Sequence, residues 1–285
     1  MRGDSRILKE VGTMIKDANK DNISGDFTLH GVDFLMEITD GIGYSQSEIN
    51  LRFDHSFIVN KIMKFEANFQ SDELAILLFR KKNELLFRDK LSYLIQKDIQ
   101  HDNYIVTPKL KAKKWGQCDG NPSFDVAILK EKSVEQGYHN HQYIPHTLIE
   151  IKNAYSPFIL GYEASDSIWE YKNDGGIASD IKKMRDARRG HAGIVDFHAI
   201  LAVNCPRRHR SEKYRFIASD NPNYTSLNKL MIGYKNDFSR IIEDLTIKLR
   251  AEAEKFNPTD ISFVTLYGGQ AYENEMDIVY IILSF

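Results

Sequence analysis

Phe124-Asp125-Val126-Ala127-Ile128-Leu129 and Thr147-Leu148-Ile149-Glu150-Ile151-Lys152 are two short apolar runs, each interrupted by charge, and each reads as a buried β-strand. Side chains alternate along a strand, so Asp125 shares a face with Ala127 and Leu129, while Glu150 and Lys152 share one with Leu148. An ionised group taken out of water costs several kcal/mol unless it is paired or bound to a metal. Two carboxylates and an amine on otherwise apolar faces therefore call for a reason, and a divalent cation is the economical one. Two carboxylates converging from neighbouring strands can hold Mg²⁺, with Mn²⁺ as a substitute, and leave its other positions to water and a phosphate. Such an ion activates water for attack on phosphorus, and a neighbouring ammonium neutralises charge developing on the phosphoryl oxygens. The stretch between Asp125 and Glu150 has room for the end of one strand, the polar loop from Glu131 to His141, and the start of the next.

With Pro122-Ser123-Phe124-Asp125 followed by Glu150-Ile151-Lys152, the chain resembles the PD-(D/E)xK nuclease superfamily, which includes most restriction endonucleases. Two residues separate Pro122 from Asp125 where the strict motif has none, so the family's aspartate role carries over to Asp125 alone. The resemblance implies that Asp125 and Glu150 are the metal ligands and that Lys152 orients the water or stabilises the pentavalent phosphoryl state. The family also carries an acid on a helix before the first core strand. Residues 82–95 have helical periodicity, with Glu84, Leu91 and Ile95 on one stripe, so Glu84 is the candidate for that role. Its alternative is a surface pair with Arg88, worth a few tenths of a kcal/mol.

The fold class expected is α/β, a restriction-endonuclease-like α-β-β-β-α-β core with a mixed central sheet flanked by helices. A strand at Phe197 to Asn204 completes that core. A helix from Ile177 to Arg189 precedes it; the resemblance implies that this helix packs beside the active site and presents polar residues there, here Asp180, Lys182 and Lys183, of which Lys182 reads as solvated. Asp166 to Lys172 reads as a further short helix. Residues 1–70 form a mostly helical N-terminal region, with helices expected at Ile7 to Ala18 and Phe57 to Phe69, and residues 71–285 form the nuclease core with its extension. That extension is of αββ type: one long amphipathic helix carrying Leu227, Leu230, Met231, Tyr234, Phe238, Ile241, Ile242 and Leu245, then strands at 261–267 and 276–283 around Gly268-Gly269, which extend the sheet or build a dimer surface. Glu273, Glu275 and Asp277 read as acids flanking a turn.

Composition bounds the rest. The 285 residues are 42% hydrophobic and 27% charged, which excludes a largely disordered chain, and no apolar run approaches a membrane span. The N-terminus has no apolar secretory segment, and Cys118 and Cys205 are too few for a disulfide framework, so a cytoplasmic protein is expected. His139, His141 and His146 lack the cysteine partners or helical spacing that would favour zinc. A net charge of −2 argues against indiscriminate coating of nucleic acid, not against a locally basic cleft. Lys109, Lys111, Lys113 and Lys114, before Trp115, and Arg207, Arg208 and Arg210 are the candidate nucleic-acid contacts. The reading is thus a Mg²⁺-dependent endodeoxyribonuclease whose partner is DNA, acting in restriction or antiphage defence. Cleavage of RNA, a role in DNA repair, and a binding module that has lost turnover stay open, as do a homo-oligomer and an activating ligand or partner protein.

Overall fold

The computed structural model describes residues 26–29, 32–35, 53–69, 72–78, 84–100, 103–111, 123–131, 143–162, 169, 176–208, 222–271 and 274–285. The chain divides into two compact units, Met1–Arg52 and Phe53–Phe285. The described part of the first unit is an antiparallel hairpin of β1 (Asp26–Leu29) and β2 (Val32–Leu35). The helix expected at Ile7 to Ala18 lies outside the described residues.

The second unit is mixed α/β. In chain order it contains α1 (His55–Met63), α2 (Glu73–Leu78), α3 (Glu84–Asp98), β3 (Tyr104–Lys111), β4 (Ser123–Glu131), β5 (Tyr143–Tyr155), α4 (Ser156–Leu160), α5 (Ile177–Gly190), β6 (Asp196–Arg208), α6 (Pro222–Gly233), α7 (Phe238–Glu254), β7 (Asp260–Ala271) and β8 (Asn274–Ser284). The six strands lie in the order β3-β4-β5-β6-β8-β7. Every neighbouring pair is antiparallel except β5 and β6. A parallel pair needs a crossover, and the segment holding α4 and α5 supplies it.

Alternation divides the sheet between two cores. Leu148, Ala199, Leu201, Val203, Val279 and Ile281 share one core cluster with Ile181 and Met184 of α5 and Ile241, Leu245 and Leu249 of α7. The opposite parity of β8 faces the N-terminal helices, where Tyr280 meets Phe65 and Phe87 edge-on at ring-centroid distances of 5.8 and 5.9 Å. Helices on both faces explain why β5, β6 and β8 are nearly continuous runs of apolar residues. α5 shows the amphipathic logic of its layer: Ile177, Ile181, Met184 and Ala187 form its buried stripe, and Asp180 is the one charged side chain buried in it.

Three sequence expectations are corrected here. The long C-terminal helix is two helices, because the chain turns at 234–237: Lys235 and Asn236 take left-handed backbone angles (φ +54° and +60°), and Asp237 caps α7 by accepting from the Arg240 N–H at 3.1 Å. The extension is therefore ααββ. Gly268-Gly269 is not the turn between the last two strands. It lies inside β7, where the register shifts between Tyr267 and Gly269 and Gly269 has φ +96°. The turn joins Ala271 to Asn274, so Glu275 does flank it, whereas Asp277 lies further along β8 and is buried, with Arg207 at 3.8 Å. Of the other segments, the helix expected at 57–69 is α1, which ends at Met63, and Asp166–Lys172 falls almost wholly outside the described residues.

A directional hydrogen-bond chain ties the start of this unit to its end. His198 Nε2 lies 2.9 Å from the Phe53 carbonyl, which can only accept, so Nε2 carries the proton. His198 Nδ1 must then accept from Ser284 Oγ at 2.7 Å, and that oxygen in turn accepts from His55 Nδ1 at 2.7 Å. His55 Nε2 is left to accept from Ser262 Oγ at 2.6 Å. Burial holds His198 down to about 4, and His146, between the edges of Phe53 and Tyr104, is likewise pushed down to about 4 by burial. His55 is lowered by burial as well.

A histidine whose folded pKa is depressed stabilises the fold fully above its ordinary value of 6.5 and loses that contribution as pH falls toward about 4. For His198 this amounts to ~3 kcal/mol. The urea midpoint is expected to drop over that interval, and ¹⁵N NMR is expected to show His198 as the neutral Nε2–H tautomer at about pH 5.5. An imidazolium signal for His198 at that pH, with the protein folded, would contradict the chain as drawn.

Candidate active site

β4 and β5 run paired from Glu131↔Tyr143 to Val126↔Ile149, and there the ladder stops. Beyond it, the β5 edge that faced β4 carries N–H groups with no strand opposite among the described residues, and a buried N–H without a partner costs of order 1–3 kcal/mol. Two carboxylates take the place of the missing strand. Asp125 Oδ2 accepts from the Ile151 N–H at 3.0 Å, and Glu84 Oε1 accepts from the Asn153 N–H at 3.1 Å. Asp125 sits one residue past the last β4 pair, so the register sets it opposite Glu150. Glu84 is the first residue of α3 and reaches the strand from the helix start.

On its other edge β5 stays paired with β6, Glu150 opposite Ala199 and Lys152 opposite Leu201. The side chains of Glu150 and Lys152 point toward α5, where they meet a matched pair of groups. Lys152 Nζ lies 3.2 Å from Asp180 Oδ2, and Lys183 Nζ lies 2.5 Å from Glu150 Oε1 and 3.2 Å from Asp180 Oδ1. Asp180 thus holds one lysine on each oxygen. Lys183 also donates to the Ser123 carbonyl at 2.9 Å.

Burial raises Glu150 well above the usual carboxylate range; Lys183 opposes that shift, and Asp125 and Asp180 reinforce it. Glu84 is raised by burial too, with Asp125 and Asp180 adding and Lys152 and the Asn153 N–H opposing. Lys152 is raised: burial acts to lower it, but Asp180, Glu84 and Glu150 outweigh that. With its acids ionised, the cluster of Glu84, Asp125, Glu150 and Asp180 around Lys152 and Lys183 would carry two negative charges in excess. Among the described residues no three His, Cys, Asp or Glu side chains converge closely enough to hold a metal ion by themselves. The donor set fits Mg²⁺ or Mn²⁺ nonetheless. Mg²⁺ characteristically takes only one or two carboxylates, keeping water and phosphate for the rest, and here Asp125 and Glu150 would be those ligands. Glu150 Oε1 is buried and, although Lys183 Nζ lies 2.5 Å away, receives no hydrogen bond of good geometry.

The structure brings Glu84, Asp125, Glu150 and Lys152 together, and it adds Asp180 and Lys183. Both belong to the helix that the resemblance sets beside the active site, and both are among the polar residues named for it; which of the two adjacent lysines turns inward is not given by the sequence. Lys182 points to solvent, 80% exposed, and pairs with Asp186. Of the basic candidates, Lys109 and Lys111 are exposed on β3, where Lys111 pairs with Ser123, two residues from Asp125. Arg207 is not near the carboxylates: it lies six positions along β6 from Leu201, roughly 20 Å, beside Asp277 and over the Tyr267 ring. Arg208 occupies the same end of β6, opposite Glu275. Lys113, Lys114 and Arg210 lie outside the described residues, as do His139 and His141.

A carboxyl whose folded pKa is raised stabilises the fold below its unfolded value of 4.5 and loses that contribution as pH rises through the folded value. Glu150→Gln is therefore expected to raise the melting temperature at about pH 8, with the gain shrinking toward about pH 4.5. A folded variant less stable than the parent at both pH values would contradict the assignment of Glu150 as a charge held at a cost.

Comparison of the chain with family models, curated proteins and solved structures returns no match, and a role for the cluster rests on its own chemistry.

Proposed function

We propose that the chain is a divalent-metal-dependent nuclease of the PD-(D/E)xK type that hydrolyses DNA phosphodiester bonds, serving in restriction or antiphage defence. One observation carries the reading: Asp125 and Glu150 lie opposite each other where β4 leaves β5, with Lys152 two residues further on the same face. The element order α3-β3-β4-β5-α4-α5-β6, with β5 parallel to β6, supports it as the α-β-β-β-α-β core that the resemblance implies, with the five-residue α4 added after β5.

Asp125 and Glu150 would hold Mg²⁺, and the bound ion would supply Lewis acidity for water and phosphoryl oxygen. The residues around it have separate tasks. Asp125 keeps its orientation through the Ile151 N–H, which leaves its other oxygen for the ion. Lys152 stays protonated among three acids and offers its ammonium to charge building on the phosphoryl oxygens. Asp180 positions that ammonium. Glu84, anchored on Asn153, adds a nearby carboxylate to receive a proton or hold an outer water. Exposed Lys109 and Lys111 beside the site would contact the DNA backbone.

Supercoiled plasmid, linear duplex, single strands and RNA, each with and without Mg²⁺, provide the test. Metal-dependent nicking is expected on DNA, and Asp125→Ala should abolish it in a protein that still folds. Lys152→Ala should lower the single-turnover rate by ~100-fold or more with little change in substrate affinity, because its charge acts on the transition state. Undiminished cleavage by folded Asp125→Ala would end the proposal, and cleavage confined to RNA would move the substrate class.

A further inference from the structure

We propose that Lys183 is a tethered cation that competes with the divalent ion for Glu150, so that metal loading is coupled to the arrival of a phosphodiester. The inference rests on the nuclease reading and adds a mode of regulation to the same site. Its basis is the set of contacts made by one ammonium. Lys183 Nζ donates to the Ser123 carbonyl at 2.9 Å and forms ion pairs with Glu150 Oε1 at 2.5 Å and Asp180 Oδ1 at 3.2 Å. Its position is fixed further by the Phe124 ring, whose centroid lies 5.3 Å away.

A divalent ion on either oxygen of Glu150 would sit within a few ångströms of the ammonium now held on Oε1, in a poorly screened site, so the two cations repel each other there. Loading the metal onto Glu150 therefore favours departure of Lys183. It has the means, since its side chain is 24% exposed and its four-carbon stem is flexible, whereas the carboxylate it leaves is 4% exposed and built into the central sheet. Asp180 stays within reach of the released ammonium as a partner, and a substrate phosphate offers a better one. Metal and nucleic acid would then each strengthen the binding of the other by the same factor. Each alone would bind weakly, which keeps a nuclease idle in the absence of substrate.

Two measurements test this without reading cleavage. The first is the affinity for Mn²⁺ alone, followed by electron paramagnetic resonance, in the parent and in Lys183→Met, which retains most of the stem and removes the charge. The variant is expected to bind Mn²⁺ at least about tenfold more tightly. The second uses the parent protein only, so it stands even if the variant fails to fold. Reductive methylation mapped by mass spectrometry is expected to modify Lys183 several-fold faster in Ca²⁺ than in its absence at equal ionic strength, with Lys182 as the unaffected internal reference. A folded Lys183→Met protein that binds Mn²⁺ no more tightly than the parent, or Lys183 methylation that ignores Ca²⁺, overturns the competition. The nuclease reading fails separately, if neither protein binds Mn²⁺ in a manner that Asp125→Ala removes.

Discussion

The end of the β4 ladder at Val126↔Ile149 is the constraint on which the candidate site depends. β5 continues past that point on the strength of its parallel pairing with β6, and this leaves the N–H groups of Ile151 and Asn153 facing an edge without a strand. Their need for acceptors brings Asp125 and Glu84 to β5, one from the strand that has just parted and one from the start of a helix. The same backbone that demands the hydrogen bonds therefore orients two of the acids. Side-chain alternation then delivers Glu150 and Lys152 to the α5 side of the strand without further instruction.

That delivery creates a problem of charge. A buried carboxylate such as Glu150 strains the fold unless something positive lies against it, and α5 answers with Lys183, while Asp180 binds both lysines and keeps them apart. The arrangement resembles a lattice of alternating charges in which every cation touches an acid and the acids remain in excess. On the proposed reading, such a site would hold its charges at a cost in stability and attract a further cation, the exchange of stability for function expected of a reactive centre. Of the basic residues, Lys109 and Lys111 are exposed on β3, beside the end of β4 that carries Asp125, while Arg207 is turned to Asp277 and Tyr267.

Much of the fold and of the site is legible in short-range pattern. The apolar runs around Asp125 and Glu150 are strands because β-branched and aliphatic residues surround the charges, and Glu84 begins a helix whose stripe includes Leu91 and Ile95. Three features are not legible in that way. The partnership of Lys183 with Glu150 joins residues on two elements, and no local pattern encodes which lysine of a helix turns inward. The break between α6 and α7 depends on left-handed angles at Lys235 and Asn236 within a stretch whose apolar spacing continues unbroken. The place of β8 between β6 and β7 reverses chain order, and sheet order is a tertiary choice made by which faces each strand can bury.

The central claim, that Asp125 and Glu150 form one divalent-ion site, is tested most directly by anomalous diffraction from crystals grown with Mn²⁺. An anomalous peak is expected within about 2.3 Å of a carboxylate oxygen of each residue, with Lys183 Nζ displaced from Glu150 Oε1. A protein that takes up Mn²⁺ elsewhere, or not at all, with the Lys183–Glu150 contact intact, would contradict it.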